Sequence, residues 1–139
     1  PLKGFFVRLY GGLNEASKEN AEDTQNLAIF TGYKNEKFSI GAEYNAIYNA
    51  SNKEDADQSG YSIYASAHLS KVVDLYARYD DLYSKDNGNI SKDESAAIVG
   101  AQIKLGKYVK IAPNVRMTVP KADGSDNVYS AYINCYFGF

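Results

Sequence analysis

The sequence predicts an all-β chain, an antiparallel up-and-down β-barrel in which eight strands are visible. Three observations predict it. Polarity alternates with a period of two through most of the chain, helix-period patterns are almost absent, and long polar connections alternate with short turns. At 139 residues the chain has the size of one domain. Its net charge of −2 speaks against a nucleic-acid partner, which needs a clear excess of Lys and Arg on one surface.

The first strand sets Phe5, Val7 and Leu9 against Phe6, Arg8 and Tyr10, and the second sets Leu27, Ile29, Thr31 and Tyr33 against Ala28, Phe30 and Gly32. The third is the clearest, with Phe38, Ile40, Ala42, Tyr44, Ala46 and Tyr48 opposing Ser39, Gly41, Glu43 and Asn45. In the fourth, Tyr61, Ile63, Ala65, Ala67 and Leu69 oppose Ser62, Tyr64, Ser66 and His68; in the fifth, Val73, Leu75, Ala77 and Tyr79 oppose Asp74, Tyr76, Arg78 and Asp80. The sixth places Ala97, Val99, Ala101, Ile103 and Leu105 against Ile98, Gly100, Gln102 and Lys104. The seventh places Val109, Ile111, Pro113, Val115, Met117 and Val119 against Lys110, Ala112, Asn114, Arg116 and Thr118. The last places Tyr129, Ala131, Ile133, Cys135, Phe137 and Phe139 against Ser130, Tyr132, Asn134, Tyr136 and Gly138. Every strand therefore has one face free of charge and one mixed face.

Long, acid-leaning connections are expected at Leu13 to Asn26, Asn49 to Gly60, Ser84 to Glu94 and Pro120 to Asn127. Short ones are expected at Lys34 to Lys37, Ser70-Lys71 and Gly106-Lys107, so all the long loops gather at one end. Tight turns at one end and long loops at the other are the anatomy of an outer-membrane barrel. Parity puts Tyr33 with Phe38, Thr31 with Ile40 and Ile29 with Ala42 across the first short turn, and it requires an odd loop around Ser70.

Alternation alone fits two opposite barrels, because a soluble barrel turns its charge-free face inward and a membrane barrel turns it outward. The mixed face is built from Gly, Ser, Asn, Ala and Tyr, with scattered charges at Arg8, Glu43, Asp74, Arg78, Asp80, Lys104, Lys110 and Arg116. A water-facing exterior is usually richer in Lys and Glu. Aromatics of the charge-free face collect near the strand ends: Tyr33, Phe38, Phe137 and Phe139 at the short turns, and Tyr48, Tyr61, Tyr83 and Tyr129 at the long loops. Two such girdles match the two interfaces of a bilayer. Strands of about 9 to 13 residues match the length a tilted strand needs to cross hydrocarbon. The expected setting is therefore a bacterial outer membrane, with the eight charges facing a lumen. Five of these are Arg or Lys, a bias that favours anions.

The terminal stretch "YSAYINCYFGF", with aromatics at alternate positions and a final Phe139, resembles the carboxy-terminal signature of Gram-negative outer-membrane β-barrel proteins. The resemblance implies that Phe139 belongs to the signal read by the barrel-assembly machinery. "VVDLYARYDDLYSKD" (Val72 to Asp86) and "AAIVGAQIKLGKYVKIAPNVRM" (Ala96 to Met117) are similar to the last strands of the porin-like family that includes phosphate-selective porins. This implies either a closed eight-stranded barrel spanning 1–139 or the last eight strands of a larger porin. The two forms differ in function: a passive diffusion channel for small hydrophilic or anionic solutes, or a small non-conducting barrel whose long acidic loops serve structure, adhesion or docking. The expected partners are outer-membrane lipid and the assembly machinery, with a homo-oligomer left open and no nucleic acid.

Other chemistry is thinly signalled. The single histidine, His68, has Ser66 and Asp74 nearby, but no nucleophile elbow accompanies them, so no enzyme is expected. Asp55 and Asp57 copy the opening of a calcium loop, yet its twelfth position is Ser66 rather than an acid, and acidic surface loops explain them better. The lone Cys135 cannot form an intrachain disulfide, and no cofactor motif is present. No stretch approaches a membrane helix or a signal peptide. The chain begins at Pro1 without a Met, which fits both a removed leader and a fragment.

Overall fold

The computed structural model describes residues 3–18 and 20–138. It contains eight strands: β1 (Phe5–Asn14), β2 (Thr24–Lys34), β3 (Phe38–Tyr48), β4 (Ala56–His68), β5 (Val73–Asp86), β6 (Glu94–Lys104), β7 (Val109–Pro120) and β8 (Val128–Phe137). Short 3₁₀ turns occupy Ala50–Asn52 and Ile90–Lys92 in the loops. Each strand pairs antiparallel with its neighbour in sequence, in one sheet ordered β1 to β8. Among the described residues β1 and β8 do not pair, so the sheet is open.

The strands are staggered. Phe5, at the start of β1, lies level with Ala131 through the successive ladders, six residues above Phe137 at the foot of β8. At about 3.3 Å rise per residue and about 4.8 Å between strands, that stagger corresponds to a tilt of about 30°.

Local chemistry sets the turns. In the first short turn, Asn35 Oδ1 accepts from the amides of Lys37 and Phe38 at 2.8 and 2.9 Å. This tightens the hairpin so that Lys34 faces Ser39, Tyr33 faces Ile40 and Thr31 faces Ala42. The expected pairing of Tyr33 with Phe38 is therefore shifted by two residues, and because two is the side-chain period the faces are unchanged. The turn after β4 is odd as parity requires, with His68 opposite Asp74 and Ser70 Oγ accepting from the amides of Val72 and Val73. The long loops are shorter than expected. β4 starts at Ala56 and pairs with β5 up to Asp86, which removes five residues from the loop expected at Asn49 to Gly60.

The sheet has no second layer. The accessible surface is 10041 Å² for 15.3 kDa, whereas a compact soluble monomer of that mass exposes about 7,200 Å². Among the described residues the buried apolar ones are Ala46, Ala56 and Ala112, and no large side chain is fully buried. Large apolar groups of the charge-free face are instead exposed, Leu9 at 77% and Ile133 at 72% among them. Of its small residues Ala42, Ala65 and Ala77 are exposed and Ala46 is buried, while Gly32, Gly41, Ser62, Ala112 and Asn114 of the mixed face are buried. That asymmetry means the sheet curls toward the mixed face. The apolar face is the convex one.

Glycines make the curl possible by letting rings lie on the backbone. A Cβ on Gly32 would meet the Phe6 ring at 2.7 Å, one on Gly41 the Tyr64 ring at 2.7 Å, and one on Gly100 the Tyr76 ring at 2.6 Å and the Pro113 carbonyl at 2.7 Å. Opposite Gly100, the β6–β7 ladder is interrupted between Gly100–Asn114 and Ile103–Ile111, where Pro113 has no N–H to donate.

Gly100→Ala is expected to lower the unfolding free energy by about 1–3 kcal/mol, because its Cβ collides with backbone as well as ring. Gly11→Ala, whose nearest neighbour would be Leu27 at 3.8 Å, is expected to change it by less than about 0.5 kcal/mol. Urea titration of the two variants against the parent measures both.

Candidate functional site

The mixed face gathers most of the polar side chains, and strand register decides which of them meet. Successive pairings place Phe6, Tyr64, Arg78 and Arg116 in one row across the sheet, and Arg8, Phe30, Glu43, Ser62 and Asp80 in the next. Phe6 and Phe30 lie 5.1 Å apart by centroid, and Phe30 and Tyr64 are nearly parallel at 5.5 Å. Arg8 sits over the rings of Phe6 and Phe30 at 5.6 and 5.9 Å, Arg78 over Tyr64 at 5.9 Å, and Arg116 over Tyr132 at 4.6 Å. Each contact favours the guanidinium electrostatically while leaving it charged.

The acids are consumed unevenly. Asp80 takes Arg78 Nε at 2.8 and 2.9 Å and the Ser62 hydroxyl at 2.5 Å. Asp74 is 2.5 Å from His68 Nδ1 and 3.3 Å from Lys104 Nζ. Among the described residues Glu43 accepts from Asn45 alone, at 2.7 Å. Of the basic residues expected on this face, Arg78 and Lys104 have carboxylate partners; among the described residues Arg8, Lys110 and Arg116 have none, and Arg116 donates to Asn114 Oδ1 at 2.9 Å. The Arg78–Asp80 pair joins residues two apart on one strand rather than on neighbouring strands.

Ser66 is not engaged by His68. Its hydroxyl shares a 2.8 Å hydrogen bond with Ser39, and among the described residues no hydrogen bond joins Ser66 to His68, so the first link of a nucleophilic relay is missing. Asp57 lies inside β4 and accepts from the Asn49 amide at 3.2 Å, and no cluster of metal-ligating side chains occurs among the described residues.

On the convex face, Tyr33 packs between Phe5 and Phe38 at 4.8 and 5.6 Å, near the short turns. Phe137 and Tyr129 are exposed on β8, and Tyr48 is exposed at the far end of β3. Tyr61 packs on Tyr79 at 6.1 Å, and Lys121 lies 5.6 Å over the Tyr83 ring. Phe139 lies outside the described residues. A polar group unforeseen from the sequence borders this second set: Asp81 accepts from Lys121 Nζ at 2.6 Å and from Ser95 at 2.7 Å.

The loops at the opposite end from the short turns are also built. The Asn52 side chain donates to the carbonyls of Glu22 and Asn14 at 2.8 and 3.4 Å, and Thr24 Oγ1 donates to Asn49 O at 2.7 Å. Asn87 bridges to the same cluster, its amide donating to Asp55 O at 2.9 Å and its side chain to Glu54 O at 3.2 Å. Asn49, Asn52 and Asp55 have positive φ, which these residue types tolerate best after glycine. Buried Asp93 anchors the third loop through the Ser84 amide and hydroxyl at 2.6 and 2.7 Å.

No family model, curated protein or solved structure matches the chain. Functional argument therefore rests on these faces alone.

Asn52→Ala is expected to release the 15–23 loop, raising its cleavage rate in limited proteolysis about tenfold, since it removes two hydrogen bonds and strains a φ of 59°. An unchanged rate would show that the loops do not depend on this link.

Proposed function

We propose that this chain forms wall of an outer-membrane β-barrel channel that passes small hydrophilic or anionic solutes by diffusion. The observation that carries the reading is the inverted burial: the apolar groups lie exposed on the convex face while the buried positions are alanines and small polar residues. In water this exposes an apolar area far larger than soluble monomers carry. In a bilayer the same face is solvated by hydrocarbon, with aromatics near both strand ends. Hydrocarbon also requires every backbone amide to be paired, so in this reading the free edges of β1 and β8 meet further strands, and the pore is wider than eight strands enclose. Outer-membrane lipid and the barrel-assembly machinery are then its partners.

The concave face supports selectivity for anions. Asp80 is paired with Arg78 and Asp74 with Lys104, leaving Arg8, Lys110 and Arg116 against Glu43 to bias a wet lumen. A second reading, a non-conducting barrel that docks partners through its loops, is favoured by one observation, the hydrogen-bonded junction of three loops around Asn52 and Asn87.

Single-channel recording of the full-length chain in planar bilayers separates the two. The expected result is discrete conductance with anion preference, and Arg8→Glu with Arg116→Glu should lower the anion-to-cation permeability ratio by about twofold or more. Absence of conductance in a correctly folded preparation would overturn the channel reading in favour of the docking one.

A further inference from the structure

Of the asparagines in the chain, Asn87 alone is followed by glycine, and the Asn87-Gly88 step lies in the turn after β5. Residues 53–55 of the neighbouring loop hold Asn87 through three bonds. Its backbone amide donates to the Asp55 carbonyl at 2.9 Å, its side-chain amide donates to the Glu54 carbonyl at 3.2 Å, and its own carbonyl accepts from Lys53 Nζ at 3.0 Å. Gly88 in turn donates its N–H to the Lys85 carbonyl at 2.8 Å. A Cβ on Gly88 would meet the Ser84 Cβ at 2.7 Å and the carbonyl oxygens of Asp57 and Lys85 at 2.9 Å, so the turn fits against β4 only with glycine there. The junction therefore uses Asn at one position for its bonds and Gly at the next for its close approach.

The same two residues form a reactive pair. Asn is among the chemically labile side chains, and a following Gly presents no Cβ to hinder attack by its backbone nitrogen. In that reaction the Gly88 nitrogen bonds to Asn87 Cγ while the Cγ–Nδ2 bond breaks. The Gly88 amide proton passes through water to the departing nitrogen, which leaves as ammonia. Water then opens the resulting succinimide ring at either carbonyl, giving aspartate or isoaspartate, and no oxidant or reductant is consumed. In the folded turn both reacting groups are occupied: the Gly88 N–H is held by Lys85 O, and the Asn87 amide is directed at Glu54 O rather than at Gly88. Ring closure needs both bonds open, so the frequency of local opening sets its rate.

We propose that Asn87-Gly88 is a site of spontaneous deamidation, guarded by its bonds to residues 53–55, and that conversion there opens the loop junction for good. Isoaspartate runs the main chain through the β-carbon and lengthens it by one atom, so the amides of 87 and 88 no longer reach Asp55 O and Lys85 O together. Either product also replaces the donor on Glu54 O by a carboxylate, which a carbonyl oxygen repels. Lys53 is the base at hand, while Glu54, Asp55 and Asp57 are acids of the same segment. The inference goes beyond the channel reading and does not rest on it, because it concerns the loops and not the lumen. It bears on the docking reading, since it alters the surface that the joined loops present.

The test has two arms, both with the full-length chain folded in detergent and aged in mildly alkaline buffer at physiological temperature. Peptide mapping by mass spectrometry, with enzymatic methylation to label isoaspartate, follows conversion at Asn87. The folded parent is expected to convert about tenfold or more slowly than the same chain unfolded in guanidinium chloride. Lys53→Ala, which removes one exposed link of the guard, should speed conversion of the folded chain about threefold. In the second arm, limited proteolysis within residues 49–56 is expected to run about tenfold faster on the aged, converted parent than on fresh protein. Asn87→Gln, aged for the same time, should keep the rate of its own fresh sample, because its longer side chain cyclises far less readily. Equal conversion of folded and unfolded parent, or no effect of Lys53→Ala, overturns the guard. Converted protein cleaved no faster than fresh overturns the opening of the junction. Neither result touches conductance, which is read separately.

Discussion

A β-sheet with a single layer gives each side chain one of two environments, chosen by parity alone, and the rest of this molecule follows from that constraint. No helix or second sheet covers the charge-free face, so its Leu, Ile, Val and Phe groups stay exposed. The mixed face curls over itself by means of glycines. Phe6 over Gly32, Tyr64 over Gly41 and Tyr76 over Gly100 each substitute a ring from one strand for the missing side chain on the next. Stability comes from the backbone ladders and from this lateral covering rather than from a central core.

The same lateral packing governs the electrostatics. Neighbours on one face are residues two apart on a strand, directly opposite across a ladder or diagonal across it, so an acid meets whatever base stands in one of those places. Asp80 takes Arg78 along its own strand, and Asp74 takes His68 and Lys104 across two different ladders. Arg8 and Arg116 have aromatic neighbours and retain their charge. In the proposed channel this produces a lumen that is positive in sum yet locally mixed.

Much of this was legible in the chain. All eight strands, their faces and the ordering of long and short connections follow from the alternation, because a period of two survives any strand environment in which the faces differ. Strand ends were less legible. The extension of β4 back to Ala56 depends on pairing with Lys85 and Asp86, whose polar character resembles loop composition. The first hairpin differs by two residues from the pairing that alternation predicts, because Asn35 folds the turn through its own side chain. The charged residues were identified, but not which of them pair. The adjacency of Phe6, Phe30 and Tyr64 is set by register between strands, so it is invisible in the alternation of any one of them.

The sequence by itself determined the class of secondary structure, the number of strands, the side of the sheet on which each residue lies and the end at which the long loops gather. These properties depend on near neighbours in the chain and on a two-residue period. The tertiary structure decided the register between strands, the direction of curl, the openness of the sheet and the company kept by Arg8, Glu43 and Asp74. Those depend on residues far apart in sequence, brought level by a stagger that accumulates from ladder to ladder, and a shift of two residues at any one turn changes every neighbour beyond it while leaving the pattern of faces intact.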